Sequence, residues 1–288
     1  MPIIRWMTHN GRFIGFSKTY TTLIESFFNL RLITIGSFRF QSSCARFHSN
    51  IMSTSLAIRP LNSQLQVIAK EQLNEEPDKI QENLDAFKEW IRKSPHLKAR
   101  TDDQFLVGFL RGCKYSLERA KQKFDLFYTL RTHMPEIMVN RDPMIAKNLE
   151  IMRCGVGLPM LETETPGSPR LLLFRMGAYD AQKFTIQEVM KVTSTMMDIM
   201  MIEDDNYMIA GQVGVVDLSG VTIHHFMQMQ PAFMKKMTML SQDATPVRQK
   251  GIHYINAPAS FEQIYNLFKT FMNEKMRSRV RKFQNDSI

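Results

Sequence analysis

The sequence predicts an α/β fold: a helical N-terminal subdomain packed on a mainly parallel sheet. Three observations carry this. Short apolar runs at 170–176, 212–217 and 251–256 have strand length and lack polar alternation, as strands covered on both faces do. Helix-length segments separate them, so the connections are right-handed crossovers. From Leu56 to about Met152 the periodicity is helical.

Taken in order, residues 1–51 hold six Lys/Arg and one acid, Glu25, without sustained periodicity. This composition suits a mitochondrial presequence. It also suits sequence upstream of a natural start at Met52, the reading favoured because a well-formed domain begins directly afterwards. We therefore set residues 1–52 apart as an extension, disordered or not native. Residues 53–152 form the helical subdomain and 153–288 the sheet-bearing one.

In the helical part, 61–73 is a first helix. Residues 78–93 are amphipathic, with Ile80, Leu84, Phe87 and Ile91 on one side and Pro95 just beyond the end. Thr101-Asp102-Asp103-Gln104 is a capping box for a helix over 103–111. Ser116 caps the next, which turns Ala120, Phe124, Phe127 and Leu130 inward and is broken at Pro135. A further helix covers 143–152. Beyond Cys154, residues 155–159 open a strand, 165–169 turn the chain, and 170–176 form a buried strand. A helix over 185–202, a strand over 212–217, a helix over 224–242 and a strand over 251–256 follow. A helix started by Pro258 carries Phe261, Ile264, Tyr265, Phe268 and Phe271 on one side and ends in Lys275, Arg277, Arg279, Arg281 and Lys282.

Much chemistry is excluded. No apolar run is long enough to span a bilayer. Cys44, Cys113 and Cys154 have neither disulfide nor zinc spacing, which favours a reducing compartment. Gly155-Val156-Gly157 lacks the third glycine of a dinucleotide loop, and no phosphate loop or nucleophile elbow is present. Adjacent His224 and His225 diverge on a helix and cannot share a metal; a surface or cap role suits them. Asp217 ends a strand, where α/β enzymes place ligands, but no partner acid or base accompanies it, so it reads as a turn aspartate. We assign no catalytic residue, no metal and no cofactor other than a bound hydrophobic ligand.

Two features remain. Eleven of the 22 methionines lie between Met190 and Met239. Methionine is adaptable and is over-used where apolar partners vary, so two methionine-rich helices suggest a wall facing an apolar ligand. Lys275, Arg279 and Lys282 fall at i, i+4 and i+7, one face of the last helix, with Arg248 and Lys250 before the preceding strand. An apolar segment joined to a cationic one suits an anionic membrane surface. Nucleic acid is disfavoured, because aromatics do not interleave with these charges and no known reading motif is present.

Residues 54–280 resemble the CRAL-TRIO family, the group of retinaldehyde- and α-tocopherol-binding proteins and yeast-type phosphatidylinositol transfer proteins. The motifs are Thr101 to Leu106 with Phe109 to Tyr115, then Val216-Asp217-Leu218-Ser219-Gly220, then Gly251 to Pro258 with Phe261 and Glu274-Lys275. The overall style is that of the insect α-tocopherol-transfer-protein-like branch. The resemblance implies a sheet that floors a lipid cavity, under a mobile lid over 260–274 with Ile264, Leu267, Phe268 and Phe271 facing the ligand. It implies that Thr193 and Met197 line the pocket and that Arg248, Lys250, Lys275 and Arg279 contact phosphoinositides. One further basic position of that set is Cys113 here, with Lys114 beside it. The candidate ligand-binding set is completed by Met196 and Met200 of the methionine wall, Phe174 and Val215 of the strands, and Phe226. Family members continue for some tens of residues past Ile288, so a shortened C-terminus is expected to weaken the fold or its hold on ligand.

The expected function is carriage of one small hydrophobic molecule (tocopherol, retinoid, carotenoid or phospholipid) between membranes by a monomeric, cytoplasmic, peripherally associated protein. The alternative is a lipid sensor or adaptor that transfers nothing.

Overall fold

The computed structural model describes residues 58–160 and 163–282. The readings of residues 1–52 and of the C-terminal residues 283–288 lie outside them. Among the described residues the helical part begins with α1 (Ser63–Leu73), where Asn62 Oδ1 accepts from the Leu65 N–H at 2.8 Å. A 3₁₀ turn leads into α2 (Ile80–Arg92), which buries Leu84, Phe87 and Ile91 as its periodicity predicts.

The capping expectation for α3 (Asp103–Gly112) shifts by one residue. Asp102, not Thr101, is the cap: its Oδ1 accepts from the Phe105 N–H at 3.1 Å. A carboxylate there also complements the helix dipole. Gln104 Oε1 instead accepts from the Arg59 N–H at 2.9 Å, which ties the incoming chain to α3. Ser116 occupies the cap position of α4 (Leu117–Thr132) without a side-chain capping bond. Phe109, Phe124 and Phe127 meet edge to face, with Phe109 and Phe124 ring centroids 4.9 Å apart. Short α5 (Pro135–Met138) starts on its proline, and α6 (Ala146–Cys154) ends at Gly155 with φ of 65°.

The sheet runs β1 (Gly157–Pro159), β2 (Arg170–Arg175), β3 (Gln212–Asp217), β4 (Gln249–Ile255), β5 (Val280–Lys282), in that spatial order. Its first pair is antiparallel and the other three are parallel. The crossovers are α7 (Ile186–Glu203), α8 (Ile223–Met227) with α9 (Pro231–Met239), and α10 (Phe261–Phe271) with α11 (Glu274–Arg277). Thr185 and Glu188 form a reciprocal capping box on α7.

Two expectations are corrected. The methionine-rich helix over 224–242 is two helices and a closing π turn (Leu240–Ala244), because Gln230 is extended before Pro231, as a proline requires of its predecessor. The basic C-terminal helix does not exist as one helix. α10 ends at Phe271, Met272 is extended, Asn273 caps the single turn α11, and Val280–Lys282 leaves as a strand on the edge of β4. Lys275, Arg279 and Lys282 therefore do not share a helix face. Burial of Val280 beneath α10 and the Ile252 N–H to Arg279 O bond (3.0 Å) outweigh continued helix.

The helical layer lies close on the sheet layer. A Cβ on Gly112 would run into the Pro246 carbonyl, and one on Gly108 would meet Met208 Cε at 2.8 Å. Arg111 donates to buried Glu75 through Nε (2.6 Å) and Nη2 (3.0 Å), and the Tyr115 hydroxyl donates to it at 2.9 Å. This network holds the α3–α4 turn, where Lys114 and Tyr115 are both left-handed (φ 56° and 57°).

Candidate functional site

Strand register decides which side chains face each other. Gly157, Phe174, Val216 and Tyr254 align across the sheet, and so do Pro159, Leu172, Gly214, Ile252 and Val280. Both rows point to one face. α7 covers part of it: a Cβ on Gly157 would meet Thr193 Cγ2 at 2.8 Å and Met196 Cε at 3.5 Å. α10 covers the rest, where Phe261 and Tyr265 are buried with Leu218, Met272 and Val280 over Val216, Ile252 and Tyr254.

The predicted apolar residues divide accordingly. Phe174, Met196, Met197, Met200, Phe268 and Phe271 pack against one core, and of these only Met200 is fully buried. Thr193 is buried with its hydroxyl donating to Val189 O at 2.8 Å, so its methyl faces the sheet. Phe226 joins Phe261 and Tyr265 beneath α10. Ile264 is half-buried. Two residues do not fit the expectation. Val215 aligns with Leu173 and His253 on the opposite face, because side chains alternate along a strand. Leu267 is 37% exposed, on the outer side of α10. A separate cavity of about 530 Å³ at the starts of α7 and α9 is ringed by Glu136, Glu188, Lys191 and Lys236; none of the predicted apolar residues lines it.

The cations assemble through tertiary contacts. Burial lowers the Lys250 pKa, and the surrounding Arg248, Arg279, Lys114 and Lys275 lower it further. Burial likewise lowers Lys275, followed by Arg279, Arg119, Lys114 and Arg248. The four predicted basic residues are thus neighbours, and the helical part adds Lys114 and Arg119, which sequence spacing did not connect to them. Cys113 is buried, and Lys114 supplies the charge at that corner. Arg248 donates to Ile209 O and, at 3.3 Å, to Gln72 Oε1; Arg279 donates to Gln249 O. Lys250 and Lys275 are exposed by surface area, so the burial that lowers their pKa is only partial. Lys282 lies apart from this group, donating to Glu262 Oε2 at 2.7 Å with its ammonium 3.6 Å from the Tyr265 ring centroid.

Asp217 does hold a turn: Oδ1 accepts from the Ser219 N–H and from Asn256 Nδ2, each at 2.9 Å. His225 is buried, its Nδ1 on Thr222 and its Nε2 3.0 Å from Tyr179 O, while His224 is exposed. No cluster of three metal-ligating side chains occurs among the described residues.

Residues 159–288 match the CRAL/TRIO domain family, and residues 76–147 match the Pinta-like UBA domain family. The "Alpha-tocopherol transfer protein-like" protein of Mus musculus is 28% identical over 220 residues, covering 76% of this chain and 63% of its own. Clavesin-2 of Rattus norvegicus is 24% identical over 224 residues, covering 74% and 64%. The chain thus spans a little under two thirds of the length of these curated relatives. The crystal structure of Sfh5 superposes on 80% of this chain and 83% of its own at 14% identity and a TM-score of 0.44. This protein carries a CRAL/TRIO domain over residues 159–288.

Proposed function

We propose that this chain holds one hydrophobic molecule between the sheet and α10 and carries it between membranes, docking on anionic, phosphoinositide-containing lipid through Arg248, Lys250, Lys275 and Arg279. The observation that carries the reading is a juxtaposition. Half-buried, adaptable methionines of α7 share one core with Phe268 and Phe271 of amphipathic α10, and that helix leads directly into a group of mutually repelling cations. Enclosure of an apolar molecule contributes about 0.8 kcal/mol per CH₂ removed from water. An anionic surface offsets the cation repulsion and is favoured by about 1 kcal/mol per basic residue close to it. Ile223 and Met227 of α8 add an apolar ridge beside the lid, 65% and 73% exposed at i, i+4 spacing. None of the described helices is long and apolar enough to cross a membrane, so association is peripheral in this reading. No covalent step is needed, and Asp217 serves as a turn residue, not a catalyst. Tocopherol-like, retinoid-like and phospholipid-like molecules are the candidate cargo.

The test is native mass spectrometry with lipid extraction on the chain expressed in a eukaryotic cell. One lipid near one per chain is the expected result. A folded protein that is empty, and stays empty when offered lipid vesicles, overturns the carrier reading and favours a sensor or adaptor.

A further inference from the structure

The middle of the sheet face under α10 is apolar; Lys282 lies beside Tyr254 at one side of it, and the other end is polar, with Arg170 of β2 aligned with Gln212 and held by Asp204 Oδ2 and Met160 O. There Gln212 of β3 and Gln249 of β4 sit opposite each other. The pairing register slips at this point: Gln212 aligns with Gln249 but Val213 with Gly251, so Lys250 is an extra residue. A bulge of this kind re-aims a side chain. Simple alternation would set Gln249 on the face of Gly251, away from the lid. Instead its Nε2 lies 3.7 Å from the position of a Cβ on Gly214, a residue of the lid-side face. The same slip leaves Lys250 exposed, among the cations described above.

The hydrogen bonds give this polar pair a definite sense. Gln249 Nε2 donates to Gly251 O, which orients the Gln249 amide. Its Oε1 therefore accepts, and the atom of Gln212 that meets it is Nε2. What remains is Gln212 Oε1, a buried acceptor with no partner among the described residues. Around it the floor has low relief. Of the described atoms, only Phe174 Cε2 (3.8 Å) and Gln249 Nε2 come within 4 Å of a Cβ built on Gly214, and both belong to the sheet; no side chain of the covering helices fills the position. A strand glycine of this kind commonly marks the close approach of a ligand. A buried acceptor left unpaired is costly, whereas a donor from a bound molecule would satisfy it.

We infer that the cargo is a hydroxyl-bearing lipid, an alcohol or phenol that donates its proton to Gln212 Oε1 at the floor of the site, and that Gln212 with Gln249 selects it over ethers, esters and hydrocarbons. This rests on the carrier reading and names the chemical class that the reading leaves open.

The experiment uses the full chain and displacement of bound cis-parinaric acid by matched pairs: octadecanol against octadecyl methyl ether, and α-tocopherol against its methyl ether. At least one alcohol should bind about tenfold tighter than its ether. Gln212→Leu should bring the pair to near parity, by weakening the alcohol while leaving the ether unchanged or tighter. Gln249→Leu, which frees the Gln212 amide to turn, should narrow the gap in the same way. Equal affinity for alcohol and ether in both pairs in the native chain overturns the inference, and so does a preference that survives both substitutions. Equal weakening of alcohol and ether by Gln212→Leu would mean that the pair only supports the fold, which also overturns it. If a folded chain binds neither parinaric acid nor any of the four lipids, the carrier reading itself fails, an outcome distinct from binding without selectivity.

Discussion

Removing Lys250 and Lys275 together should weaken docking on anionic vesicles by roughly 30-fold. These two are the informative members of the cationic group. Arg248 and Arg279 donate to backbone carbonyls, so their loss would disturb the approaches to β4 and β5 as well as the charge. Lys250 and Lys275 are exposed, and among the described residues neither has an ion pair or a side-chain hydrogen bond. Each basic residue at an anionic surface contributes about 1 kcal/mol, so the pair contributes about 2 kcal/mol, which is roughly 30-fold in affinity. The assay is cosedimentation of Lys250→Ala/Lys275→Ala and native chains with phosphatidylserine or phosphoinositide vesicles, and with neutral phosphatidylcholine vesicles, over a salt series. The variant should show the flatter salt dependence and an unchanged or slightly higher Tm, since like-charge repulsion is relieved. Unchanged binding to anionic vesicles, or an equal loss on neutral ones, would refute the electrostatic argument. pH provides an independent check. Burial and then the neighbouring cations lower both lysines in the folded chain below the ordinary 10.5. As pH rises through the folded values, the folded chain loses protons that the unfolded chain still binds. The contribution of these lysines to stability therefore rises with pH across that window and is complete above 10.5, while docking falls over the same window.

Two further outcomes test the packing of the layers and of the lid. Gly112→Ala should destabilise by roughly 2–3 kcal/mol, or about 5–10 °C in Tm, because its Cβ meets the Pro246 backbone, whereas Gly108→Ala meets only the flexible end of Met208 and should cost less; equal melting shifts would contradict this account. Gln242→Ala should raise hydrogen exchange at the Asn273 amide by about tenfold and leave the Tyr265 amide unchanged, because the Gln242 side chain donates to Phe271 O and accepts from Asn273 N–H, each at 3.2 Å, at the C-terminal end of α10; a rise spread evenly along α10 would contradict a local fastening there.

Much of the fold was legible because it rests on local chemistry. Leu84, Phe87 and Ile91 lie on the buried side of α2, and Phe261 and Tyr265 on that of α10, as their spacing requires. The strand 212–217 begins and ends as its apolar run predicts. The turn role of Asp217 followed from its short carboxylate before Ser219-Gly220. The capping box at Thr101 misled by one residue because Thr101 and Asp102 offer similar acceptors, and Arg100 and the helix N-terminus both favour the carboxylate.

The sequence by itself determined the layer architecture, most helix starts and stops, and the apolar side of α10, all of which follow from periodicity and capping within a few residues. Only the tertiary structure decided where α10 ends, since Val280 gains more from burial beneath it and from the free edge of β4 than from another turn of helix. Register, which depends on a partner strand, turned Val215 away from Phe174 and brought Gln249 beside Gln212. The cationic group likewise forms in space. Lys114 and Arg119 reach Lys250 and Lys275 because Gly112 lies against the Pro246 backbone and Lys123 donates to Asp243 O and Thr245 O, contacts between residues far apart in the chain that no local pattern encodes.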